Sequence, residues 1–376
     1  MPGGAVNRWT VMLYLAGADD LEAHMTRALL ALEEVGPPEG VEVVVQLTRA
    51  PLEAVQRFLP ERVATGIDGD WSGTRRYRLR RRPGGAPGQP VIASDLLADL
   101  GEVSPSCPTL LRDFVQFARD RFPAERELLV LSGHGMGFVG VALDVAFCPH
   151  PAVMSLRAMA VALRTAGRPP DLLLLDACQM NGLEVACELS LPRPAATWLV
   201  TPASKAPRAG LDYVAALRVL DGKVPTGTVA AELARVLEPS ARVQVLAFRL
   251  DPNRWRTVGE AARGADNPRH MPMFRQAAST VVHPSPGTAL RLLVSWPNSL
   301  DFPERYHYLY RRLRFTRLSR WHRLLPPSER SGWQGETLDP LPVPSPVLKA
   351  WLAQTRRDLT EHQVELLMAQ LGWHDQ

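Results

Sequence analysis

Five short runs of mainly apolar residues, at 11–15, 41–47, 127–132, 172–175 and 197–201, constrain the fold more than any other feature of this chain. Each is too short for a buried helix and reads as a strand, the most apolar of them covered on both faces. Stretches with helical spacing lie between them. Leu21, Met25, Leu29 and Leu32 share one helix face, Asp20 stands where a cap belongs, and Gly36-Pro37-Pro38 ends the run. Residues 108–122 predict a second helix, with Leu110, Leu111, Phe114 and Phe117 inward. Ser155 caps a third, reaching about Ala166, and a fourth runs from about Met180 to Leu189. Strands alternating with helices predict an α/β fold in which a mostly parallel sheet is covered on both faces. In such sheets the chemistry lies beyond the carboxyl ends of the strands.

The rest of the chain is less regular. Residues 74–81, 243–250 and 290–296 predict strands, and 228–237 and 252–263 predict helices. Residues 326–346 are rich in Pro and Gly and read as a linker. A helix over 360–371 follows, with Thr360 and Gln363 as a capping box. The expected organisation is one domain over 1–325, the linker 326–346 and a helical segment 347–376.

With 46% apolar and 22% charged residues over 376 positions, the composition is that of a globular chain and excludes a disordered one. The net charge is only +4, and lysine occurs just at Lys205, Lys223 and Lys349, so the basicity is an arginine bias. The densest basic run, 75–82, alternates around Tyr77 and Leu79 and reads as a strand with a solvated face. No nucleic-acid module surrounds it, so no nucleic-acid partner is expected. The four cysteines form no C-x-x-C pair, which argues against zinc and dithiol redox sites. The first eight residues lack the apolar core of a signal peptide, and no apolar run approaches the roughly 18 residues that cross a membrane. The expectation is therefore a cytoplasmic protein with reduced thiols and no membrane contact.

Two residues combine a strand end with reactive chemistry. Cys178 directly follows the apolar run 172–175 and precedes a predicted helix. That arrangement aims its own N–H into a site and sets the helix N-terminus to favour a thiolate. His134 follows the run 127–132 inside Gly133-His134-Gly135, with Gly135 N–H as a second oxyanion donor. Against this, a cysteine after an apolar strand is ordinarily a small buried hydrophobe. Cys187 reads as core, Cys107 and Cys148 as loop residues, and His150 is the runner-up histidine. Gly135, Gly137 and Gly140 match G-x-G-x-x-G, but the residues that follow are not helical and no dinucleotide fingerprint is expected.

Several segments together resemble the clostripain-like peptidases, relatives of the caspases. Trp9 through Ala16 with Asp19-Asp20-Leu21-Glu22 is similar to that family's first strand and turn, and Leu100-Gly101-Glu102-Val103 to its stretch before the histidine strand. Ser132-Gly133-His134-Gly135 resembles its histidine turn and Asp176-Ala177-Cys178-Gln179-Met180 its nucleophile motif. Pro207, Gly210, Asp212 and Tyr213 fall where the family has its pocket loop, and Arg314-Phe315 and Trp321 resemble its C-terminal end. The resemblance spans roughly residues 8 to 325.

It implies a caspase-like three-layer sandwich and a cysteine endopeptidase with a Cys178–His134 dyad. It also implies an oxyanion hole at Gly135 and Cys178, and cleavage after Arg or Lys through an acidic S1 pocket at Asp176 and Asp212. The bland alternatives are a helix cap for Asp176 and a turn carboxylate for Asp212. A protein or peptide substrate, an activating protease or regulatory partner, and zymogen control in stress or defence signalling are part of the same expectation. The chain differs from the family at Ser132-Gly133, Met136, Ser204-Lys205 and Leu211. No metal or cofactor is expected; these departures weaken the case for calcium, the one ion the resemblance raises. A catalytically silent scaffold of the same fold is the alternative. From Gly135 through Leu156 the chain has no Lys or Arg, so self-cleavage after a basic residue is not expected there. The run 75–82 is the expected target of an outside protease.

Overall fold

The computed structural model describes residues 7–57, 59–83, 91–149, 152–203, 206–220, 223–263 and 279–285. The chain runs β1 (Asn7–Gly17), α1 (Glu22–Val35), β2 (Val41–Arg49), α2 (Leu52–Gln56), β3 (Gly73–Arg78), β4 (Asp95–Asp99), α3 (Pro108–Arg121) and β5 (Ala124–Ser132). It continues through β6 (Gly140–Asp144), β7 (Ala152–Ser155), α4 (Leu156–Thr165), β8 (Leu172–Asp176), α5 (Leu183–Ser190) and β9 (Trp198–Pro202). Last come α6 (Tyr213–Arg218), α7 (Thr226–Ala241), β10 (Val245–Arg249), α8 (Pro252–Arg263) and β11 (Val281–His283). The strand expected at 290–296, the motif residues Arg314, Phe315 and Trp321, the linker 326–346, the helical segment 347–376, His150 and Ser204-Lys205 lie outside the described residues.

Nine strands form one sheet in the order β11-β10-β9-β8-β5-β1-β2-β3-β4. The five central strands are parallel, and an antiparallel pair closes each edge. Alternate residues of each central strand feed opposite cores. Met12, Tyr14, Leu173 and Leu175 pack into one, with Leu111, Phe114, Met159 and Cys187. Val11, Leu13, Leu172 and Leu174 pack into the other, with Leu29, Leu233 and Leu237. Both faces of the centre are thus dry, which is why these runs carry little polar alternation. Helices α3, α4, α5 and α8 pack side by side in one layer, and α1, α6 and α7 in the other, giving the expected three-layer α/β sandwich.

Two expectations are corrected. The helix after the nucleophile segment begins at Leu183 with Gly182 as its N-cap, not near Met180. Gln179 adopts φ 65°, a left-handed conformation that a continuous helix cannot contain. The run 75–82 is not an open protease target. Arg75 to Arg78 lie in β3, paired to β2 on one side and β4 on the other. The guanidiniums of Arg75, Arg78 and Arg80 are bound to Asp99, Glu42 and Asp95. The strand assignment holds; the solvated face is in fact a row of ion pairs and cation–π contacts, with Arg76 over Phe114 and Phe117.

Candidate active site

Three neighbouring strands deliver the site from their carboxyl ends. Leu15 of β1 stands opposite Ser132 of β5, and Ser132 opposite Asp176 of β8. Asp19-Asp20, His134 and Cys178 therefore leave the sheet side by side, and His134 and Cys178 line one cavity. Cys178 is half-buried, in the turn that Gln179 bends, and its Sγ lies 3.8 Å from the Ala206 carbonyl oxygen. With α5 starting five residues later, its N-terminus is not at the sulfur, and the thiolate stabilisation expected from that helix is not present at this position.

Gly135 fixes the approach of the two segments. A Cβ there would stand 2.7 Å from Cys178 N and 2.8 Å from Ala177 Cβ, and closer still to the Cys178 carbonyl oxygen. The two Cys178 atoms are backbone and cannot yield, so only glycine fits. Gly135 pairs with Val141 in an isolated bridge whose hydrogen bonds run from Met136 N–H to Gly140 O and from Ala142 N–H to His134 O. The N–H of Gly135 is not spent in that bridge. The G-x-G-x-x-G match leads into a short 3-10 turn at Gly137–Val139 and then β6, not a helix, which removes the dinucleotide reading.

Asp176 is 3% exposed and lines the cavity. Its Oδ2 accepts from Tyr213 Oη at 2.5 Å, Leu211 N–H at 3.0 Å and Ser132 Oγ at 3.3 Å. Its Oδ1 is buried and has no hydrogen-bond partner among the described residues. Burial raises the Asp176 carboxyl against these three donors. Gly210, at φ 78°, passes so close that a Cβ would stand 3.1 Å from Asp176 Oδ2. Asp212, expected beside Asp176, is exposed and outside the cavity lining. Its Oδ1 accepts the Ala215 N–H and caps α6. The turn-carboxylate alternative describes it.

The residue that sequence reasoning misplaced is Asp20. It was expected to cap α1, but the N-cap position is Leu21, with no side-chain cap. Asp19 Oδ1 takes the Leu21 N–H at 2.8 Å. Asp20 is fully buried. Its Oδ1 lies 2.7 Å from His134 Nε2, and its Oδ2 accepts from Arg208. Burial would raise Asp20, but the hydrogen bond and charge of His134 and the Arg208 guanidinium outweigh it and hold this carboxyl well below the usual range. Burial pushes Asp19 up to about 7, against the opposing charge of His134. Burial disfavours a charged His134, yet Asp19 and Asp20 together raise it above the ordinary histidine value. The sequence signal for Asp20 was its place in the Asp19-Asp20-Leu21-Glu22 motif.

Among the described residues, one group brings metal-ligating atoms within 4.8 Å of one another: Asp19, Asp20 and His134. It does not suit calcium, which takes six to eight oxygen ligands. An imidazole supplies one of the three atoms, and Asp20 is already engaged by two cationic partners. No helix among the described residues is long and apolar enough to cross a membrane.

Comparison with known proteins agrees with this fold. Residues 100–237 match the Clostripain family of C11 peptidases. The matched segment carries both His134 and Cys178 and spans less than half the chain. Among solved structures, a secreted C11 cysteine protease from Bacteroides thetaiotaomicron, in complex with an irreversible peptide inhibitor, is 16% identical with a TM-score of 0.51. It covers 68% of this chain and 70% of that one. A second structure from that organism, of the secreted C11 protease called iotapain, gives 14% identity and TM-score 0.51 over 82% and 86% of the two chains. An inactive zymogen C11 protease from Parabacteroides distasonis gives 14% and 0.50 over 72% and 70%. At these identities the structures speak for the fold, which is that of C11 proteases. A search of curated proteins gave no match. The clostripain-type segment thus contains both ends of the expected dyad, while Asp19 and Asp20 lie upstream of it.

Proposed function

We propose that this protein is a cysteine endopeptidase in which Cys178 attacks the scissile carbonyl and His134 moves the proton. What carries the reading is one cavity lined by a half-buried thiol, an imidazole and the buried carboxylate of Asp176. Cys178 gives its proton to His134. The thiolate forms an acyl-enzyme, and His134 delivers the proton to the leaving amine and then accepts one from the attacking water. The oxyanion donors in this reading are the N–H groups of Gly135 and Cys178.

Preference for Arg or Lys before the cut rests on Asp176. Its buried, unpartnered Oδ1 is an acceptor for a cationic side chain, whose charge would in turn favour the ionised carboxylate. Fluorogenic peptides with Arg, Lys, Ala or Glu before the reporter test both parts. Wild type should turn over the basic substrates, and Cys178→Ala should not. Asp176→Asn should lose about two to three orders of magnitude in kcat/KM on basic substrates, the consequence of burying an unpaired charge. Absence of Cys178-dependent turnover on any peptide favours the silent scaffold. Turnover without basic preference overturns the assignment of Asp176. Zymogen control and a cytoplasmic setting belong to the same reading. Host-cell fractionation tests the setting, since two relatives are described as secreted.

A further inference from the structure

The Asp20 carboxylate is buried, stands beside the proton-transfer histidine, and does no work for the helix it precedes. Helix α1 starts at Glu22 with Leu21 at its N-cap position and no side-chain cap, and the neighbouring Asp19 satisfies the Leu21 N–H. Both Asp20 oxygens are instead committed to the site, Oδ1 to His134 Nε2 at 2.7 Å and Oδ2 to Arg208. A carboxylate paired with a guanidinium carries no proton to donate. The proton in the 2.7 Å bond therefore belongs to Nε2. Among the described residues no hydrogen bond to Nδ1 is found, so Nδ1 is the nitrogen open to chemistry in the cavity.

Arg208 ties this arrangement to the far wall. It is 53% exposed, on the loop that also places the Ala206 carbonyl against Cys178 Sγ and the Leu211 N–H on Asp176. One loop thus meets the nucleophile, the residue behind the base and the floor of the cavity.

Resting on the peptidase reading, we infer that Asp20 is a positioning residue that fixes His134 as the Nε2–H tautomer with Nδ1 as the working nitrogen. Arg208, in the same inference, keeps Asp20 in the acceptor state. Proton transfer then stays within the dyad of Cys178 and His134, with the ring oriented by Asp20 and Asp20 held from outside by Arg208.

The test uses the full chain with 15N-labelled histidine, read by imidazole nitrogen shifts, together with steady-state kinetics from pH 5 to 9. Wild-type His134 should show protonated Nε2 and bare Nδ1 in its neutral form. Asp20→Asn, whose amide can donate to Nε2, should shift the ring toward Nδ1–H and lower its titration midpoint. Its kcat should fall about 10²–10⁴-fold with KM within about twofold, the range lost when a general base is misaligned. Arg208→Ala, at an exposed position, should move the His134 midpoint up, because its charge opposes the imidazolium. A purely structural role for Asp20 would lower the melting temperature without changing the tautomer. That result, or a wild-type ring protonated at Nδ1, overturns the proposal. The nitrogen shifts need no turnover, so an inactive wild type would sink the peptidase reading while the tautomer assignment is still decided.

Discussion

Asp19 is fully buried, and its Oδ2 has no hydrogen-bond partner among the described residues. Burial pushes its carboxyl from 3.8 up to about 7, so the folded protein prefers it neutral. The sign of the linkage follows. A carboxyl raised in the folded state contributes stability that is fully present below its unfolded value and is lost as pH rises through the folded one. Asp19→Asn keeps an acceptor for the Leu21 N–H and removes the ionisation. It should therefore change stability little at pH 4 and stabilise on the order of 2 kcal/mol, a few degrees, at pH 8. Thermal scans at both values check this, and an equal shift at both pH values would refute it. Because the Asp19 charge supports the imidazolium of His134, the same variant should also lower the His134 midpoint. Single-residue chemistry of this kind was only partly legible in the sequence. Cys178 and His134 stood out because each follows an apolar strand. Asp20 did not, because an acid before a helix has a local explanation as a cap, and only tertiary structure shows which partner it takes.

Among the elements, legibility followed burial. β1, β2, β5, β8 and β9 were readable because burial on both faces leaves a continuous apolar run. β4 was missed because it is an edge strand whose residues are exposed or half-buried, with no alternation to detect. The hairpin of β6 and β7 was missed because Gly140 and Asp144 leave only three apolar residues in β6 and β7 has four residues in all. Helix α7 was expected to end at Leu237 but continues to Ala241 past Pro239, whose missing N–H leaves the Arg235 carbonyl without its i→i−4 bond. The hairpin carries its own prediction. It joins the histidine segment to α4, β6 is buried along its length, and no Lys or Arg lies between residues 135 and 156. An enzyme that cuts after basic residues has no site of its own there. Intact-mass spectra of wild type and Cys178→Ala should be free of a cut in this interval, and a fragment pair present only in wild type would show the opposite.

Across the whole molecule, the arginine-rich run reads as a fastening of the sheet edge to the helix layer. Glu33 of α1 is fully buried and gathers four donors from the far side of the sheet edge. They are Arg82, the N–H groups of Ala93 and Ser94, and Ser94 Oγ, at 2.7 to 2.9 Å. Arg82 also reaches Glu34. This cluster holds the strand ends of β3 and β4 against α1, two strands beyond the β1–β5–β8 centre that carries the site. Glu33→Ala orphans two amides and a hydroxyl and takes one partner from the Arg82 guanidinium, which keeps Glu34 and the Val91 carbonyl, and should destabilise by about 2–4 kcal/mol. Glu33 is outside the cavity lining, so kcat per folded molecule should stay near wild type while hydrogen exchange quickens in β4 and at Ala93 and Ser94. Unchanged stability would mean the cluster is not a fastening. A loss of kcat matching the loss of stability would mean that the edge and the site form one cooperative unit. The central register predicts their separation, since Asp20, His134 and Cys178 all emerge from strands whose neighbours on both sides are already paired.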